Sequence, residues 1–294
     1  MERIISGSLS IDSELSRFNG KSKKTRFKPI KRISKIKVPT VIRAMSKSTF
    51  PKVLVSLKLF FRGIDCILCN IAALQRNQKV VKIDNIELGD FPLLLAPMED
   101  VSDPPFRALC KELGADLMYS EFISTEGLIR DAVKSREKLD IYPEERPVGI
   151  QIFGHNKDSM MRSAEIVEEA KPELLDINFG CPVKKVVSKG AGAGILQNIP
   201  LMEELTQAVV NATKLPVTVK TRLGWDDNTK TIVSTAERLQ DVGIKAISIH
   251  GRTRKQMYKG EADWSLIADV KNNARMQIPV FGNGDIDSPE KAVE

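Results

Sequence analysis

Seven short apolar runs dominate the chain from residue 81 onward, each ending in polar residues and each followed by a longer segment. They are LLLAPM (93–98), LMYSEF (117–122), VGIQIFG (148–154), LLDINFG (174–180), VTVKTRLG (217–224), AISIHGRT (246–253) and PVFGNGDI (279–286). Between them lie segments of helical period such as DPPFRALCKELG, DSMMRSAEIVEEA, PLMEELTQAVVNAT and TIVSTAERLQDVG. Near-continuous apolar strands alternating with helices define a parallel sheet covered on both faces. The mean start-to-start spacing is about 31 residues, and no glycine fingerprint follows the first strand. Both features favour an α/β chain folded as a (β/α)8 TIM barrel over an open doubly wound sheet. By that repeat an eighth strand is expected near residue ~310, past Glu294. The body of 214 residues also falls short of the roughly 250 of a typical barrel. The sequence therefore reads as a truncated barrel without its eighth strand.

Local signals agree with this alternation. Asp103 precedes Pro104 and Pro105 and is placed to cap a helix, and Gly114 is placed to end it. Phe106, Leu109, Cys110 and Leu113 then share one face, which makes Cys110 a core residue.

Charge divides the chain. Of 294 residues 42% are apolar and the net charge is +7. Residues 1–80 carry 18 Lys/Arg against 4 Asp/Glu, whereas 81–294 carry 27 against 34. The expected organisation is a basic N-terminal extension over 1–80, disordered or partly helical, followed by one catalytic domain over 81–294. Such a leader can be a transit peptide, a nucleic-acid-binding arm or a misassigned start. Its run KSKKTRFKPIKR (21–32) attracts phosphates or is simply solvated. Four cysteines make no disulfide framework and point to a reducing compartment. CILC (66–69) has zinc-like spacing with no second Cys/His pair, so it reads as incidental. No uninterrupted apolar run reaches membrane-spanning length.

In a barrel the chemistry sits at the C-terminal ends of the strands. Those ends offer Pro97, Met98 and Glu99, then Glu121, Gln151, Asn178 with Cys181, Lys220 with Arg222, His250 with Arg252, and Asn283, Gly284 and Asp285. Stability alone does not call for Lys, Arg, His and amides at one mouth. The two histidines, His155 and His250, form no ligand pair, so no metal is expected. There is no G-x-S-x-G elbow. KGAGAG (189–194) lacks the phosphate-loop form and reads as a flexible crossing loop beside Cys181. Cys181 is either a buried small hydrophobe or an acid. A thiol with a pKa of about 8.5 stays protonated at neutral pH, which suits a proton donor better than a nucleophile. Lys220 beside Arg222 also admits a Schiff-base lysine.

The motifs LAPMEDVSDPPFR, QIFG, DINFGCPVKKVVSKGAGAGIL, VKTRLGW, HGRTRKQMYKGEADW and FGNGDI occur together and in this order. In that combination the chain resembles the tRNA-dihydrouridine synthases, most of all their bacterial B-type branch, from about residue 81 to the end. The resemblance implies an FMN barrel with a C-terminal helical domain that grips tRNA. The flavin is reduced by NADPH and passes hydride to C6 of a uracil. It implies that Pro97, Met98 and Glu99 border the flavin, Gln151 bonds its ring, and Lys220 faces its N1/O2 edge. His250 and the turn of Asn283, Gly284 and Asp285 would continue towards its phosphate. Asn178, Arg222 and Arg252 would lie on the uracil side, and Cys181 would protonate C5. The family's eighth strand, with its phosphate-binding Gly-Arg pair, and its helical domain have no counterpart in this sequence. Weak flavin retention and an exposed strand edge are therefore expected.

A basic stripe of Lys184, Lys185, Lys189, Arg252, Arg254 and Lys255 is a candidate RNA contact. Three other readings stand beside this one. They are an FMN barrel acting on a free pyrimidine, like dihydroorotate dehydrogenase; an aldolase using Lys220; and a non-catalytic product that binds RNA through the leader. The expected partner is tRNA, with no membrane and no obligate protein partner. The expected site is the cytoplasm, or an organelle if the leader is a transit peptide.

Overall fold

A computed structural model describes residues 80–293. The extension over 1–80, with its CILC pair, lies outside the described residues apart from Val80. The apolar runs form strands because their β-branched residues suit a pleated, packed surface. A hairpin comes first, β1 (Lys82–Ile83) and β2 (Ile86–Glu87). There follow β3 (Leu94–Leu95), β4 (Leu117–Tyr119), β5 (Ile123–Ser124), β6 (Val148–Phe153), β7 (Leu174–Asn178), β8 (Val217–Arg222), β9 (Ala246–His250) and β10 (Val280–Asn283). Strands β3 to β10 form one parallel sheet in the order β10-β9-β8-β7-β6-β4-β3. β4 pairs with the first half of β6 and β5 with its last two residues. The run LMYSEF is therefore one barrel strand interrupted at Ser120–Phe122. Neighbours in space are neighbours in sequence, with no point at which the strand order reverses. That is barrel winding, and the seven expected strands make an incomplete (β/α)8 barrel.

The register separates two faces. Ile152, Ile177, Val219, Ile247 and Val280 stand side by side across five strands. All five are buried in the main apolar core. That core lies between the sheet and helices Lys157–Glu169, Ile199–Ala212, Ile232–Asp241 and Ser265–Asn272, which add Met160, Ala164, Val167, Met202, Leu205, Val209, Ala236, Leu239 and Val270. The opposite face carries Gln151, Asp176 and Thr218 in one row and Asn178, Lys220 and Ser248 in the next. Arg222, His250 and Asn283 form the last row. The strands are thus not apolar on both faces, as their composition suggests. They alternate with period two towards their C-terminal ends.

The hairpin closes the other end. Val81, Ile83 and Leu88 pack with Leu94, Leu117, Tyr119, Leu174, Ala246 and Phe281 in a second apolar cluster. These are mostly residues at or near the strand starts, so the hairpin plugs the floor of the sheet's concave side. Two-residue strands are too short to leave a periodic signal, and the sequence gives no hint of this plug.

Helix Pro104–Glu112 starts and stops as expected. The Asp103 side chain accepts from Phe106 N at 3.1 Å. Gly114 (φ +98°) ends it, with Gly114 N donating to Lys111 O and Ala115 N to Cys110 O, a Schellman closure. The face it buries was misread, because its fully buried residues are Arg107 and Ala108, whereas Cys110 is only half-buried. Arg107 turns the helix by forking onto both Glu145 carboxylate oxygens, with further bonds to Ser102 O (2.7 Å) and Asp140 O (2.8 Å). Both partners are out of solvent. Removing one member of such a pair strands a buried charge. Glu145→Ala is therefore expected to lower unfolding stability by about 3 kcal/mol. Urea unfolding of the variant checks this, and a loss within ~0.5 kcal/mol would show that Arg107 finds water or another anion.

Candidate active site

A small cavity, about 330 Å³ when the open solvent at its entrance is included, lies on the concave face of the sheet, lined by Leu94, Ala96, Pro97, Tyr119, Asp176, Lys220, Ser248, Phe281, Gly282 and Asn283. Its walls are small or aromatic, and its one cation is Lys220. Lys220 Nζ donates to Asn283 Oδ1 at 3.1 Å, which uses one of its three N–H groups. Burial pushes the Lys220 ammonium down to about 8, and Arg222 pushes the same way, against the attraction of Asp176. Burial likewise lifts the Asp176 carboxyl to about 6, opposed by hydrogen bonds from Gln151 and Thr218 and by Lys220.

Polar side chains link this cavity to the mouth. Gln151 Nε2 donates to Asp176 Oδ2 at 2.6 Å, and Asn178 Nδ2 donates to Gln151 Oε1 at 2.8 Å. Asn178 Oδ1 then accepts the backbone N–H groups of Gly180 (3.0 Å) and Cys181 (2.8 Å). Cys181 is 8% exposed. Burial raises its thiol pKa above the ordinary value, outweighing the Val183 N–H, Arg222 and Lys220, which lower it. The thiol therefore keeps its proton at neutral pH.

KGAGAG is not a flexible crossing loop. Ala191 to Gly194 are buried, and Ala193 N donates to Cys181 O at 3.0 Å. Gly192 (φ +53°) passes so close that a Cβ there would lie 2.9 Å from Cys181 O. The small residues let the segment pack against the cysteine, and mobility was inferred wrongly from their composition.

The remaining residues divide between cavity and rim. Pro97 lines the cavity; Met98 is not among the lining residues, and its backbone N–H donates to Ser102 Oγ at 2.9 Å. Glu99 is on the rim, with its carboxylate 2.6 Å from Lys138 Nζ. Glu99, Asp100 and Glu121 lie near enough to hold an ion, but Lys138 also approaches Glu121 at 3.7 Å and offsets their charge. Arg222, 2% exposed, donates to Gly180 O (2.8 Å), Met257 O (2.8 Å) and Thr253 O (3.1 Å), and lies over the Tyr258 ring at 5.7 Å. His250 stays neutral, because burial and then Lys220, Arg222 and Arg252 hold it far below the usual imidazole value. Arg252 is buried and pairs with Asp285 at 2.7 Å, so it is not part of a surface stripe. Arg254 stacks on Trp225 at 4.8 Å, half-buried, and only Lys184, Lys185, Lys189 and Lys255 are exposed. Gly284 (φ +124°) makes the turn that carries Asp285 to Arg252.

Asp176, Thr218, Tyr119 and Ser248 were not singled out from the sequence. A carboxylate inside an apolar strand, two residues before an asparagine, was a readable signal for Asp176.

The profile described as dihydrouridine synthase (Dus) covers residues 94–294, and the chain belongs to that family. It is similar to tRNA-dihydrouridine synthase B of Pseudomonas aeruginosa, at 43% identity over 68% of this chain and 60% of that protein. The same holds for tRNA-dihydrouridine synthase B of Vibrio cholerae, at 43% over 72% and 65%. A probable tRNA-dihydrouridine synthase of Rickettsia prowazekii is 40% identical over 73% and 65%. The chain thus spans about three fifths to two thirds of the length of the curated relatives it matches. Among solved structures, a 2-naphthoyl-CoA reductase complexed with 2-naphthoyl-CoA shares the fold, with TM-score 0.55 and 12% identity over 73% of this chain and 47% of that one. Among the described residues no helix is long and apolar enough to cross a membrane.

Lys220 gives this site a measurable signature. Its pKa is depressed, so its amine loses a proton with a midpoint of about 8, well before exposed lysines do. NMR titration of specifically labelled lysine side chains checks this. A Lys220 resonance that titrates together with the surface lysines, near ~10.4, would mean that the cavity is wet and its charge unopposed.

Proposed function

We propose that the whole protein reduces uridine in tRNA to 5,6-dihydrouridine, with residues 81–294 as its catalytic unit, FMN as cofactor and NADPH as reductant. The observation that carries this reading is a buried cysteine, Cys181, just past the end of β7, above a cavity whose one lining cation is Lys220. The residues fit a flavin: Ala96, Pro97, Tyr119 and Phe281 offer flat, small or aromatic surfaces, and Lys220 has donors left for an anionic ring edge. When bound, reduced FMN supplies hydride to uracil C6.

The chain's own groups do the rest. Lys220 offsets negative charge at the N1/O2 edge of the flavin, and Gln151, with one amide hydrogen uncommitted, bonds the ring. Pro97 borders the ring, with Met98 and Glu99 beside it, while neutral His250 and the turn of Asn283, Gly284 and Asp285 continue the cofactor side. Hydride at C6 drives an electron pair through C5 towards the C4 carbonyl of uracil. Cys181 Sγ delivers its proton to C5, and the resulting thiolate is reprotonated from solvent. The buried cations Arg222 and Lys220 lower the cost of that transient thiolate. Asn178 and Arg222 hold the loop that carries the thiol, and Arg252 supports the mouth through Asp285. The exposed Lys184, Lys185, Lys189 and Lys255 meet RNA phosphates, and the basic stretch 1–80 adds to the same attraction. This work belongs in the cytoplasm, where tRNA is made and used.

In the full-length protein, Cys181→Ala is expected to keep bound flavin and its reduction by NADPH, while turnover on tRNA falls by about 10²–10⁴. Stopped-flow absorbance separates the two half-reactions. Undiminished oxidation of the reduced flavin by tRNA would remove Cys181 from the reaction, and equal activity on free uridine would favour a pyrimidine reductase. The pH profile provides an independent check. A raised thiol pKa keeps the acid protonated through neutrality, so the tRNA half-reaction should hold its rate to pH ~8.5 and fall only above the ordinary thiol value. A decline beginning near pH ~7 would show an acidified thiol and contradict the donor role.

A further inference from the structure

Asp176 does not reach Cys181, yet three hydrogen-bonded links join them. Thr218 Oγ1 and Gln151 Nε2 donate to its two oxygens, Gln151 Oε1 accepts from Asn178, and Asn178 Oδ1 accepts the N–H groups of Gly180 and Cys181. An amide can face either way round, and each amide here is fixed from both ends. At one end Asp176, when ionised, only accepts hydrogen bonds. At the other, two backbone N–H groups only donate. The orientations demanded by the two ends agree, and the side chains of Asp176, Thr218, Gln151 and Asn178 are all buried. We infer that Asp176 is a positioning residue for Cys181, setting the direction of the Gln151–Asn178 amide chain that anchors the cysteine loop. This role deepens the proposed function, in which Cys181 is the acid.

The consequence of losing the acceptor follows from the chain. Without it the amide chain is anchored from one end only, by the N–H groups of Gly180 and Cys181. Gln151 loses the acceptor that holds it in place, so its grip on Asn178, and through Asn178 on the cysteine loop, loosens. Arg222 Nε on Gly180 O, Ala193 N on Cys181 O and the Val183 N–H on the thiol would still restrain the loop. Asn at 176 keeps the direction, because its oxygen still accepts from Gln151 while its amide donates to a rotated Thr218 hydroxyl. The acceptor, and not the charge, is what the cysteine loop requires.

The test measures alkylation of Cys181 by iodoacetamide in the full chain, quantified by peptide mass spectrometry, with half-buried Cys110 as internal reference. It needs no cofactor, substrate or turnover. Asp176→Leu is expected to speed alkylation of Cys181 by about tenfold relative to Cys110, the factor for one lost buried hydrogen bond. Asp176→Asn should restore the wild-type rate to within about twofold. Gln151→Leu cuts the chain one link later, should match Asp176→Leu, and decides the matter if that variant does not fold. An unchanged rate in folded Asp176→Leu or Gln151→Leu overturns the inference, as does Asp176→Asn behaving like Asp176→Leu. If the alkylation pattern holds while Cys181→Ala leaves tRNA reduction intact, the positioning stands and the proposed acid role falls.

Discussion

Period-two alternation on a parallel sheet that curls onto itself is the constraint from which the rest follows. One parity carries Ile152, Ile177, Val219, Ile247 and Val280 outward, where the helices cover them. The other parity then has nowhere to go but the concave side, and near the strand ends it is Gln151, Asp176, Asn178, Lys220, Arg222 and His250 that go there. A one-residue slip of β7 or β8 would send Asp176 or Lys220 into the apolar layer and Ile177 or Val219 into the cavity. The hydrophobic layer therefore fixes the site to residue precision, though it touches none of its chemistry.

Burial then sets the protonation states. Lys220 and Asp176 are both pushed towards neutrality and partly restrained by each other. Removing Asp176 would leave Lys220 with Asn283 and no nearby carboxylate, and removing Lys220 would leave Asp176 with only Gln151 and Thr218 to offset its burial. His250, crowded by three cations, is fixed as neutral. Cys181 is kept as a thiol by burial against the pull of the nearby cations. The mouth thus combines cationic and neutral groups with one loaded acid, which suits a reaction that develops negative charge and then takes up a proton.

Much of the fold was legible because its signals are local or periodic: seven strand runs, the Asp103 cap, the Gly114 stop. The cavity residues Pro97, Lys220 and Asn283 were legible as strand ends. What escaped was whatever depends on partners distant in sequence. Arg107 reads as a surface residue until Glu145, 38 positions on, is found against it. Arg252 reads as part of a basic stripe until Asp285 is seen to hold it. Glycine-rich composition suggested motion at 189–194, and only the contact with Cys181 shows that small side chains were needed for close approach. Asp176 lies in the middle of its strand, where a carboxylate carries no local signal of the Gln151 and Thr218 partners that hold it.

The hairpin of Lys82 to Glu87 closes the cavity from below by packing under Leu94, Leu117, Leu174, Ala246 and Phe281. Among the described residues the outer edges of β3 and β10 pair with no further strand, and both strands line the cavity. A molecule seated against Lys220 therefore has a closed end behind it and two ways out, past the strand ends or through the seam between the edge strands. Its residence time depends on whatever covers that seam.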